Sequence, residues 1–118
     1  MNIIGCDLHS RMQVIAMLDT ETGEVVEKRL EHESGEARAF YEGLKGPALV
    51  GIESTGYARW FAEMLAGLGH ELVVGEAAKI RARETRKQKH DRRDAEHILN
   101  LLVKGAFPTT GTSPAIWD

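Results

Sequence analysis

Over the first part of the chain, apolar residues come in short runs punctuated by small polar clusters. Residues 2–9 (NIIGCDLH) and 12–19 (MQVIAMLD) are separated only by Ser10-Arg11, which predicts two antiparallel strands joined by a tight turn. Asp19-Thr-Glu-Thr-Gly23 is a second turn, rich in side chains that bond their own backbone. Residues 25–32 (VVEKRLEH) continue as a third strand, polar enough to be expected near a sheet edge. Ser34 predicts a helix N-cap. Ala37, Phe40, Tyr41 and Leu44 follow at three- and four-residue spacing, and Gly46-Pro47 is the stop. Residues 48–53 (ALVGIE) are almost continuously apolar, the pattern of a strand buried on both faces.

Thr55-Gly56 predicts the opening of a second helix, with Trp60, Phe61, Met64, Leu65 and Leu68 on its core face and Gly69 at its end. A fifth strand follows at 71–74 (ELVV), and Ile98, Leu101 and Leu102 set a last helix over 93–104 that Gly105 terminates. The order β-β-β-α-β-α-β-α predicts an α/β domain, a central mixed sheet of about five strands flanked by helices. Residues 1–105 would form the domain, and 106–118, without periodicity, a tail or the start of a linker.

Composition narrows this picture. With 118 residues, 42% of them hydrophobic, the chain can bury one core but hardly two. A single cysteine, Cys6, excludes an internal disulfide and suits a reducing cytoplasm; it is expected to be a small buried side chain. No secretory signal or membrane span is expected. The net charge of -3 gives no whole-chain argument for a polyanion partner, yet the charge is segregated. Lys79, Arg81, Arg83, Arg86, Lys87, Lys89, Arg92 and Arg93 face only Glu84 and Asp91 within 79–93, a net +6 that leaves -9 on the rest. A run that dense is expected to contact nucleic acid, against the alternative of a solvated helix.

Two carboxylates stand where apolar residues belong. Asp7 lies inside the first apolar strand and Glu53 ends the fourth, and a lone buried carboxylate is costly without compensation. Ends of neighbouring central strands are where α/β sheets form sites, so the two would converge if their strands are adjacent. Asp91 and Asp94 lie about one turn apart at the start of the last helix, where the helix dipole alone would also favour acids. Two carboxylates 4 Å apart repel by roughly 4 kcal/mol at an effective dielectric of about 20, so four of them need a cation. Oxygen ligands suit Mg²⁺ or Mn²⁺, and two such ions promote phosphoryl transfer, which points to phosphodiester chemistry.

Ile4-Gly-Cys-Asp-Leu-His9, Val50-Gly-Ile-Glu-Ser-Thr-Gly56, the Ala78-Lys79 turn and, most specifically, Lys89-His-Asp-Arg-Arg-Asp-Ala95 occur in the order seen in one family. The chain resembles the N-terminal domain of IS110-type transposases, related to the Piv-type DNA invertases. The resemblance implies an RNase H-like fold of the RuvC kind. It implies a D-E-D-D tetrad at Asp7, Glu53, Asp91 and Asp94 that holds divalent metal, with DNA as substrate. It further implies a separate C-terminal domain bearing a nucleophilic serine, not carried by these residues, a guide RNA as a family partner, and a homo-oligomer for the full-length protein acting at the bacterial nucleoid. Ser10-Arg11 and Lys89-His90 depart from the family's usual Lys after the first Asp-x-His and Lys-Thr before the D-x-x-D.

Other residues have plainer expectations. His9 fits either support of the metal site or a solvent-facing strand end. His90 and His97 are expected on the surface, and Trp60, Phe61 and Met64 in the core. Ser54 and Thr55 are expected to cap a helix, since no histidine is placed to activate either as a nucleophile. The competing functions are a non-catalytic nucleic-acid-binding or oligomerisation fragment that keeps the fold, and an actin-like ATPase domain. The latter is disfavoured because the chain lacks a Gly-rich phosphate loop and a second lobe.

Overall fold

The computed structural model describes residues 1–56, 58–82 and 94–110. Its strands are β1 (Asn2–Leu8), β2 (Met12–Asp19), β3 (Val25–Glu31), β4 (Ala48–Glu53) and β5 (Glu71–Gly75). Its helices are α1 (Glu36–Glu42), α2 (Arg59–Gly67), α3 (Ala77–Ala82) and α4 (Asp94–Val103). The five strands form one sheet in the order β3-β2-β1-β4-β5. β1, β2 and β3 form an antiparallel meander, and β1, β4 and β5 run parallel. This is the mixed α/β sheet expected of an RNase H-like domain, with the polar β3 at the edge. Among the described residues no helix is long and apolar enough to cross a membrane.

Side chains alternate across the sheet, so each strand serves two layers. Ile4, Cys6, Ile15, Val50 and Ile52 point to α1 and α2, where they enclose Tyr41, Phe61 and Leu65. The other face is thinner. Ile3, Val14, Ala16 and Leu18 meet Ala95 and Leu99 of α4. Ile98 and Leu101 of α4 pack with Ile80 of α3 and Phe107.

Glycine sets the spacing of this second layer. A Cβ on Gly5 would overlap the backbone of α4 at Ala95 and Leu99, while one on Gly51 would lie 2.8 Å from Leu102 Cδ1. The helix therefore rests directly on the bare backbone of β1.

Several local boundaries differ from expectation. The N-cap of α1 is Gly35 in the left-handed region (φ 86), not Ser34, whose Oγ instead accepts a hydrogen bond from Glu36 N. α2 begins at Arg59 behind Ala58, without a side-chain cap, so Ser54 and Thr55 do not cap it. Ser54 N donates to Gly75 O, prolonging the β4–β5 pairing. The Ala78-Lys79 turn is part of a short helix, α3. Phe61 is fully buried, but Trp60 is 38% exposed and sits edge-on to His32 rather than in the core. After Gly105 the chain does not leave the fold at once. Thr109 bridges Gly75, Pro108 O accepts from Glu76 N, and Thr110 N donates to Val74 O, so residues 107–110 line the outer edge of β5.

One buried polar cluster crosses the α1/α2 layer. Gln13 is fully buried on β2. Its Oε1 accepts from Tyr41 Oη–H (2.6 Å) and from the Cys6 thiol (3.4 Å), and its Nε2 donates to His32 Nε2 (3.1 Å). Cys6 is the buried small side chain expected. Burial pushes its thiol far above the usual range, and the neighbouring Asp7 charge adds to that; burial likewise raises the Tyr41 hydroxyl.

Gly5→Ala should destabilise the domain by about 3 kcal/mol or more in urea denaturation, because backbone cannot yield, and Gly51→Ala by only about 1 kcal/mol, because the Leu102 side chain can turn aside. Cys6 and Tyr41 stay protonated in the fold but ionise in the unfolded chain above their ordinary values of 9.0 and 10.0. Their stabilisation is complete below pH 9 and lost as pH rises, by about 1.4 kcal/mol per pH unit for each group once past its unfolded pKa. Denaturation at about pH 8, 9.5 and 10.5 checks this, and Cys6→Ala with Tyr41→Phe should flatten the decline.

Candidate metal centre and its surroundings

β1 and β4 are adjacent and parallel, with Gly5 beside Gly51 and Cys6 beside Ile52. Asp7 and Glu53 are the residues that follow this last pair, Asp7 still paired with Val14 of β2 and Glu53 with Gly75 of β5. Alternation puts both on the face that α4 covers, since their neighbours Gly5 and Gly51 are the residues under that helix. Neighbouring strands are about 4.8 Å apart, so the two carboxylates share one small region. The adjacency of strands that such a convergence requires is present, with the pairing running to Cys6 beside Ile52.

Each acid has a cationic or potentially cationic partner. Asp7 Oδ2 lies 3.0 Å from His9 Nε2 and Glu53 Oε2 lies 3.7 Å from Arg81 Nη1. Asp7 is 26% exposed and Glu53 42%, so both carboxylates are anchored in the sheet yet reachable from solvent. His9 is half exposed at the strand end, as one expectation had it, and is bonded to Asp7, the contact that the other would need. Exposed pairs of this kind contribute at most about 1 kcal/mol, so neither partner locks its acid away from an incoming ion.

Asp94 opens α4 and is half-buried. The next residue, Ala95, is the one whose carbonyl would meet a side chain at Gly5, two positions before Asp7 on the same face of β1. Asp91 lies outside the described residues, as do Arg83, Arg86, Lys87, Lys89, His90, Arg92 and Arg93. Among the described residues no group of three or more His, Cys, Asp or Glu is gathered tightly enough to hold a metal. The described pair, all oxygen, partly exposed and at the ends of central strands, is nevertheless a donor set that fits a hard divalent cation.

Two basic residues of the dense run are described. Arg81 faces Glu53, and Lys79 Nζ lies 3.5 Å from Glu76 Oε1, just before the same short helix. Arg81 therefore belongs to the carboxylate site as well as to the basic segment.

His97 departs from expectation. It is 6% exposed, and its Nε2–H donates to Ile80 O at 2.9 Å. Its partner is a carbonyl of α3. The contact ties α4, which carries Asp94, to α3, which carries Arg81, and through Arg81 to Glu53. Sequence spacing held a clue, since His97 lies among Ala95, Ile98, Leu99 and Leu101 on a broad apolar face, where a surface histidine has no place.

No curated protein matches this chain. The family model of the IS110-type DEDD transposases, described as "Transposase", matches residues 4–115. That span includes both strand acids, the basic run, Asp91 and Asp94, and the chain belongs to this family.

Proposed function

We propose that the chain is the metal-binding catalytic domain of an IS110-type transposase, acting on DNA phosphodiester bonds. Family membership makes it a transposase domain, a DNA-processing kind of protein of a class that generally uses divalent metal. The observation that supports the finer reading is the parallel pairing of β1 with β4, whose ends carry Asp7 and Glu53, each next in register to a residue of the pair Cys6 and Ile52.

In this proposal Asp7, Glu53, Asp91 and Asp94 hold Mg²⁺ or Mn²⁺, two ions in all. The bound ions would activate the attacking oxygen and stabilise the leaving one. The protein's own part is positional. The sheet fixes Asp7 and Glu53 with no freedom beyond their side-chain torsions, and α4, seated on Gly5, fixes the helix that carries Asp94. His9 orients the Asp7 carboxylate by a hydrogen bond at Oδ2. Arg81 pairs with Glu53 at 3.7 Å, and with that carboxylate serving as a metal ligand it would be free to turn toward a phosphate oxygen. Lys79, Arg81, Arg83, Arg86, Lys87, Lys89, Arg92 and Arg93 hold the DNA backbone beside the acids. Residues 106–118 would be a tail or the start of a linker toward the serine-bearing domain that the resemblance implies, with guide RNA and self-assembly as further proposed properties of such a protein.

Thermal unfolding with and without Mn²⁺ tests the metal centre. The wild type should gain about 2.7 kcal/mol at a metal concentration about a hundred times Kd. Asp7→Asn and Glu53→Gln should lose that gain while unfolding in EDTA within a few degrees of wild type, since each removes a like-charge neighbour. A wild type that Mn²⁺ and Mg²⁺ leave unchanged, yet which holds DNA, would make the chain a binding module instead.

A further inference from the structure

A second concave surface lies at the same end of the sheet, on the opposite face from Asp7 and Glu53. It is a cleft of about 550 Å³ lined by Ser10 and Arg11 of the β1–β2 turn, His32 and Glu33 after β3, and Trp60 of α2. Ser10 is three residues from Asp7, a reach of at most about 11 Å along the chain.

The cleft has features that packing alone does not require. Trp60 is a large aromatic left 38% exposed at the start of a helix whose next residue, Phe61, is fully buried. Its ring is held edge-on by His32, with centroids 4.7 Å apart. His32 is in turn fixed at both nitrogens. Because Tyr41 and Cys6 donate to Gln13 Oε1, the Gln13 amide presents Nε2–H to His32 Nε2, which must accept; the hydrogen is then on Nδ1, directed at Ser10 O (3.3 Å). A buried network thus reaches out to set one exposed ring. Arg11 and Glu33 bring opposite charges to the rim, so the cleft has no net attraction for a bare phosphate but offers both a donor and an acceptor to a neutral polar ring.

We propose that this cleft is a subsite for one unpaired DNA base flanking the phosphate cleaved at the Asp7–Glu53 centre, with Trp60 as its stacking surface. The inference rests on the transposase reading, which supplies DNA as the polymer. Flat aromatic faces bind bases by stacking with little regard to sequence, and a ring held in place before binding loses little freedom when it does. The β1–β2 turn is the ridge over which the strand passes from the cleft to the acids. His32 and Gln13 are positioning residues, acting through the set of the Trp60 ring.

The chain has two tryptophans, so Trp117→Phe leaves Trp60 as sole reporter. In that background, with Mg²⁺ present, a single-stranded oligodeoxynucleotide of about 12 nucleotides should quench the fluorescence, and the duplex of the same sequence should bind without quenching. Trp60→Ala should weaken single-strand binding about tenfold or more and Trp60→Phe by less than about threefold, with duplex binding unchanged in both. If Trp60→Ala fails to fold, Trp60→Phe and the quenching decide the matter. Absence of quenching despite single-strand binding, or unchanged affinity in a folded Trp60→Ala, overturns the subsite and leaves the transposase reading standing. Failure of the wild type to bind either DNA form overturns both. Stronger quenching by the RNA strand of the same sequence overturns the assignment to DNA.

Discussion

The contact between the α4 backbone and Gly5 is the constraint on which the site depends. A helix normally stands off a sheet by the length of two side chains. Here one side supplies none, and the helix is drawn onto the central strand. The helix that Asp94 opens is thereby drawn onto the face of the sheet that carries Asp7 and Glu53, although the described residues do not gather these three acids into one group. Gly51 repeats the arrangement under Leu102 one strand over, so the helix is seated at two points along its length. Close-packed interiors transmit such constraints without slack, and a metal centre tolerates little displacement of its ligands.

The two faces of the sheet answer different demands. The α1/α2 side holds most of the large apolar side chains and carries the cohesion of the domain. The α4 side is built from alanine, glycine and a few aliphatics, which gives less apolar burial and closer placement. His97 belongs to this second layer. A buried imidazole bonded to Ile80 O sets α3 against α4, and α3 sets Arg81 against Glu53. Substituting an apolar residue at 97 would remove the His97–Ile80 hydrogen bond and loosen the packing of α3, which carries Arg81, against α4.

Much of the fold was legible because strands declare themselves locally. The runs at 12–19 and 48–53 match β2 and β4 residue for residue, and the polarity of β3 correctly placed it at an edge. Asp7 and Glu53 stood out because a carboxylate in an apolar strand demands a reason, and the adjacency of β1 and β4 supplies it. What escaped was whatever depends on partners distant in sequence. Ser34 is a sound cap by composition, but the chain turns through Gly35 because Glu36 reaches back to Glu31 N. Trp60 has the spacing of a core residue, yet Phe61 and Leu65 already fill that side and the larger ring is left outside. His97 reads as surface when histidine is treated as polar, and only the carbonyl of Ile80 explains its burial.

Charge completes the logic. An acidic pair in a sheet and a strongly basic run in the same small chain would cancel if they simply met, and the Arg81–Glu53 pair is one place where they do. That pair is long and partly exposed, so it is weak, and weakness is what a site requires when its acids must accept a metal and its bases a phosphate. A short, buried ion pair would stabilise the empty site against its ligands. The geometry instead leaves Asp7 and Glu53 reachable and their partners on exposed side chains, which is the arrangement the proposed exchange of internal pairing for metal and DNA would need. The overall charge of -3 conceals the segregation because the +6 of residues 79–93 and the -9 of the rest sum toward zero.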